Sequence, residues 1–153
     1  MISLYKLLVF VHVLAAVAWL GGGIVLEFLH LRIGKTPTVD NLREFFSIAH
    51  WLSPRIFMPT AIVTLLSGIT LVFLGGTSFG DAWIVIALIG VAFTVFLGAT
   101  QIGPTVERIN AALQNNESMS VIEPLGRRLS LVARLDLAIL LFVLLDMVFK
   151  PSF

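Results

Sequence analysis

The side chains with which this chain could do chemistry are His12, Glu27, His30, His50 and Arg55, with Met147 and Lys150 near the C-terminus. Three of them fall in one apolar stretch, FVHVLAAVAWLGGGIVLEFLHLR, residues 10–32. At about 100° per residue, His30 lies in line with His12 five helical turns later. The same stripe holds Ala15, Ala16, Trp19, Gly22, Gly23 and Glu27, while Val13, Val17, Leu20, Ile24 and Leu31 fall on the opposite face. A membrane helix turns small and ionisable residues toward other helices and aliphatic ones toward lipid. The stripe is therefore the inner face of a bundle.

Two chemistries fit these residue types. A histidine deep in a bundle is a candidate axial haem ligand. His12 needs a second ligand at its own depth, and the other two histidines fall at the opposite end. Met147 is the candidate, with Lys150 behind it; Trp19, one heptad after His12, would line the cofactor or simply pack. The plainer alternative is a histidine hydrogen-bonded between helices, with Asp146 a candidate partner. The second chemistry belongs to Glu27-x-x-His30, a carboxylate and an imidazole one turn apart, as in di-iron helix bundles. Such a site uses two pairs and two further glutamates, and this chain has one pair. With His50 it makes a candidate metal site, and with His50 and Arg55 a cluster suited to a small carrier or channel. The plainer alternative is an ion-pair network, Glu27 with Arg55 or Arg134 and Asp136 with an arginine. Ionisable groups at the centre of a span cost about 2.5–3.5 kcal/mol each, so they are usually paired or functional.

The elements that must position these groups follow from composition. The 153 residues are 58% hydrophobic and only 12% charged, about half the charge of a soluble domain. With a mean hydropathy of +1.02, lipid is the solvent for much of the chain. A net charge of +1 argues against nucleic acid as a partner. The absence of cysteine excludes disulfides, thiolate metal sites and a cysteine nucleophile. Ala16-Val17-Ala18 loosely fits a signal-peptide cleavage site, but the apolar run continues to Leu29, which reads as a retained first helix.

The expected fold is all-α: one membrane domain over residues 1–153, a four-helix transmembrane bundle in antiparallel up-down-up-down order. The expected spans are residues 3–31, 54–74, 82–103 and 122–150. Gly34 and Pro37 end the first, and Asp40 or Asn41 caps the next helix, which begins amphipathically with LREFFSIAHWL. Pro54 and Pro59 should bend or split it. Gly21-Gly22-Gly23 sits mid-membrane and reads as a close-packing face. Arg32, Lys35, Arg43, Arg108, Arg127 and Arg128 fall on the side of the two long loops, against Lys6 and Lys150 on the other. The positive-inside rule then places both termini outside the cytoplasm.

Three segments carry a resemblance: His12, Trp19 and Gly21 as H-x6-W-x-G, FMPTAIVTLLSG at 57–68, and MVFKP at 147–151. Together they resemble an uncharacterised four-helix integral membrane family of bacteria, similar in turn to the CopD-like copper-resistance domains and the HemJ-type protoporphyrinogen oxidases. The resemblance implies residence in the bacterial inner membrane and His12 as a ligand of haem b. Met58-Pro59-Thr60-Ala61 and Lys150-Pro151 match HemJ segments. The HemJ lysine near the start of the third helix has no counterpart in DAWIVIAL, where Ala87 stands near the expected place, and RLDLA at 134–138 replaces the HemJ N-E-x-P segment. A haem or metal site for redox or cofactor handling is the expected function, with a scaffold or assembly subunit and a small carrier or channel as alternatives. The expected partners are the lipid bilayer and a second copy or another membrane protein.

Overall fold

The computed structural model describes residues 3–36 and 38–151. Six α-helices account for most of them: α1 (Leu4–Lys35), α2 (Val39–Leu52), α3 (Met58–Gly75), α4 (Ala82–Leu97), α5 (Gly103–Gln114) and α6 (Met119–Phe149). The helix starts are set by short hydroxyl side chains. Ser3 accepts from the Lys6 amide, Thr38 from Asn41 and Ser118 from Ser120, each satisfying a backbone donor that the first turn leaves free. Arg32 and Lys35 fall in the last turn of α1, where cations complement the helix dipole. Gly76, with φ of 67°, ends α3 in the left-handed conformation that glycine adopts without a steric penalty.

Pro54 and Pro59, expected to bend or split the second helix, do not split it. Residues Ser53–Phe57 form a π-helical turn in which the Met58 amide reaches back five residues to the Ser53 carbonyl. The wider turn absorbs the extra residue, so Val39–Gly75 runs as one helix of 37 residues. Gly98–Ile102 does the same between α4 and α5, with the Gly103 amide on the Gly98 carbonyl, and Ala82–Gln114 is likewise continuous. A Cβ on Gly103 would sit 3.1 Å from the Gly98 oxygen, which is why a glycine closes this turn.

Other boundaries shift from the sequence expectation. The α1 helix passes Gly34 and ends at Lys35, because a lone glycine costs only about 1 kcal/mol in a helix. Thr38, rather than Asp40 or Asn41, caps α2. Pro124 lies inside α6 near its start. Among the described residues, three helices are long and apolar enough to cross a membrane: Leu4–Lys35, Val39–Gly75 and Ala82–Gln114. The fourth, α6, has the length, but its apolar half carries Arg134, Asp136 and Asp146.

Packing divides the bundle into two cores. Phe45, Phe46 and Ala49 of α2 pack with Val106, Ile109 and Leu113 of α5 and Ile122 of α6. Arg43 ties the same region together, donating to the Leu113 carbonyl and to Asn116. The second core joins Trp19, Ala61, Ala87, Val91, Leu140 and Val143. Glycines allow the close approaches here: a Cβ on Gly90 would collide with the Val143 side chain, and one on Gly23 would lie 2.8 Å from Leu137. A helix of 37 residues is about 55 Å long, well beyond a hydrocarbon layer of about 30 Å. The charged ends around α2, α5 and the start of α6 thus project past the apolar layer.

Candidate functional site

The strongest helix contacts pair α1 with α3 and α4 with α6, while α3 and α4 barely touch. Splaying these two pairs leaves a cavity of about 740 Å³ between them. Trp19, Ala61, Leu65 and Leu140 form its apolar end, and Glu27, His30, His50, Glu107 and Asp136 are the ionisable groups of its wall. Both π-helical turns border it, through Ser53, Pro54 and Phe57 on one side and Gly98, Ala99 and Ile102 on the other. Met58, Ile62, Val95 and Ala99 line it and are also exposed. The opening between α3 and α4 is therefore apolar.

The sequence-predicted groups are distributed as follows. The Arg134 Nε donates to Glu27 Oε1 at 2.7 Å. Among the described residues this is the only ion pair joining two helices; the others join residues three or four apart. His30 Nε2 lies 2.8 Å from the Ser130 hydroxyl, and its ring is tilted against Phe45 at 5.7 Å. His50 borders the cavity from α2. Arg55 turns away, with its guanidinium over Trp51 at 4.9 Å. Asp136 does not pair with an arginine: its Oδ1 is buried without a hydrogen-bond partner. Among the described residues no three His, Asp or Glu side chains converge closely enough to hold a metal ion. Glu27, His30 and His50 share one wall but not one point, since Arg134 and Ser130 hold the first two.

At the other end, His12 faces α3. Its Nδ1 lies 2.9 Å from the Thr64 carbonyl and 3.0 Å from the Ser67 hydroxyl. A carbonyl can only accept, so Nδ1 carries the proton and Nε2 keeps its lone pair. Gly68 makes room for the ring: a Cβ there would sit 3.0 Å from His12 Cε1. Met147 packs against the Trp19 core, and the Lys150 ammonium lies over Trp83 at 5.1 Å. Asp146 is 6% exposed, with Oδ2 unpartnered. His12, Met147 and Lys150 are not among the residues lining the cavity, whereas Trp19 is. The donor thus suits an axial ligand, but the space a macrocycle needs lies beside other residues.

Two groups of the wall escape a reading of the sequence by motif. Asp136 looks there like an arginine partner, and Glu107 belongs to a polar extension past Pro104. The signal that points to Glu107 is the pair of glycines, Gly98 and Gly103, flanking the turn that keeps this extension helical.

An all-helical bundle with three membrane-length apolar helices and a charged fourth is an integral membrane protein, with lipid as its solvent. Residues 6–151 match the family described as predicted integral membrane protein, DUF2269. The chain belongs to that family. No curated protein matches it, and no solved structure does.

Proposed function

We propose that this protein binds a lipid-soluble organic molecule in its inter-helix cavity, as a small carrier or cofactor handler of the bacterial inner membrane. The observation that carries this reading is the cavity itself. Its volume of about 740 Å³ falls within the range of small-molecule sites, roughly 300–1,000 Å³. Its few polar groups stand in a wall that is otherwise apolar and aromatic, and its mouth opens to lipid. The whole of residues 1–153 acts as one domain in this reading, with its helices antiparallel and both termini outside the cytoplasm. The excess of arginine and lysine near α2, α5 and the start of α6 supports that orientation.

The test uses the protein in lipid nanodiscs and the neutral fluorophore N-phenyl-1-naphthylamine. Binding should saturate above the protein-free background. Gly98→Phe should weaken it by about ten-fold, since filling a pocket excludes its ligand. A Cβ at Gly98 meets nothing within 4 Å, so the added side chain starts into open space. Binding that never saturates, or that ignores Gly98→Phe, overturns the proposal and favours a scaffold subunit.

A second reading is haem b on His12, supported by the Nδ1 bond to the Thr64 carbonyl, the arrangement that orients a ligating histidine, and by the likeness to HemJ. The CopD likeness extends it to copper. Haem would be held by His12, with Met147 or Lys150 as the second ligand, and would supply redox chemistry. The purified protein should then show a Soret band that shifts on reduction and vanishes in His12→Ala. A colourless protein that stays so after haem is supplied removes this reading.

A further inference from the structure

The cavity wall is charged in one sense. Its ionisable side chains are Glu27, Glu107, Asp136, His30 and His50, and among the described residues it includes no lysine or arginine. Glu27 is already neutralised by Arg134. Asp136 is not: Oδ1 is buried with no hydrogen-bond partner, and the residue lines the cavity through its other atoms. An ionisable group at such a place is costly unless a partner meets it, and a carboxylate in low dielectric draws a cation strongly. The neighbouring cations do not supply that partner. Arg134 is held by Glu27, and Arg128 donates to Gln101 at 2.7 Å. The same cavity wall carries the aromatic side chains of Trp19, Phe45, Phe46 and Phe57, and aromatic faces attract cations while accepting apolar bodies.

We infer that the molecule taken up by this cavity is a lipophilic organic cation, whose positive centre pairs with Asp136 while its apolar body fills the space toward Trp19 and Leu140. The inference rests on the cavity reading above and specifies the ligand class of the same site. It explains a carboxylate left without a partner inside an apolar bundle, and a lateral mouth through which a lipid-dissolved amphiphile enters without crossing water.

The probe is tetraphenylphosphonium, a permanent cation with an apolar body, titrated against the full-length protein in nanodiscs. N-phenyl-1-naphthylamine serves as the neutral reference. Asp136→Asn, nearly the same shape without the charge, should weaken phosphonium binding by at least about ten-fold more than it weakens the neutral probe. Asp136→Glu should retain most of the phosphonium affinity. Neutral-probe binding in Asp136→Asn reports on whether that variant is folded. If the neutral probe binds and phosphonium affinity is the same in wild type and Asp136→Asn, the cation inference falls and the cavity reading stands. If neither probe binds the wild type, both fall.

Discussion

Gly90→Leu is expected to lower the unfolding free energy by about 3 kcal/mol, the upper part of the range for overpacking a close-packed contact. The α4–α6 seam is among the most extensive in the bundle, and it closes over Gly90. A Cβ there would overlap the Val143 methyl and lie 3.7 Å from Ile139. Neither neighbour can retreat freely, since Val143 is buried in the same core as Ala87, Val91 and Leu140. The added side chain must therefore push the two helices apart. In lipid this is especially damaging, because helix association depends on close van der Waals contact rather than on expulsion of water. Val143→Ala supplied in the same chain should recover most of the loss. Thermal unfolding in micelles, run on both single variants and the double, provides the check. A double variant no better than Gly90→Leu alone would place the damage elsewhere.

Arg134→Ala should cost about 2 kcal/mol, and Glu27→Ala less. The pair is asymmetric: the Glu27 side chain is 19% exposed and that of Arg134 51%. Removing one partner of a fully buried pair costs about 3–5 kcal/mol, and an exposed pair contributes about 0–1 kcal/mol. This one lies between. The larger loss on removing Arg134 reflects a carboxylate stranded in the cavity wall, whereas the Arg134 side chain without Glu27 remains 51% exposed. The exchanged pair Glu27→Arg with Arg134→Glu should restore part of the stability, because the interaction joins α1 to α6 and is otherwise unbacked by ion pairs among the described residues. Losses that simply add in the Glu27→Ala, Arg134→Ala double variant would show that the two residues do not interact in lipid.

The inner stripe of α1 was legible in the sequence because helical periodicity and membrane chemistry agree along it. Ala15 and Trp19 are buried, and His12, Glu27 and His30 each meet another helix. The stripe does not meet a single partner, however. His12 meets α3, while Glu27 and His30 meet α6, and periodicity alone cannot assign partners. The π-helical turns were not legible either. Proline reads as a break because it removes one i→i−4 bond, yet a turn wound one residue wider needs no bond at that position. From this followed the two long continuous helices and the inclusion of His50 and Glu107 in the cavity wall. The unpaired state of Asp136 was hidden for a similar reason. Arg134 stands two residues away on the same helix, so the two side chains leave on different faces, and Arg134 goes to Glu27.

The two cores described above sit in different solvents, and this divides the thermodynamics of the chain. Around Phe46, Ile109 and Leu113, burial removes apolar surface from water, so this half carries a positive heat capacity of unfolding and loosens on cooling. Around Ala87, Val91 and Val143, the alternative to a neighbouring helix is an acyl chain, and no such heat-capacity term arises. Cold would thus loosen the projecting end before the embedded one. The cavity spans the boundary, with Phe45 and Phe46 in its wall at one end and Trp19 and Leu140 at the other. Its shape therefore depends on temperature through one end only.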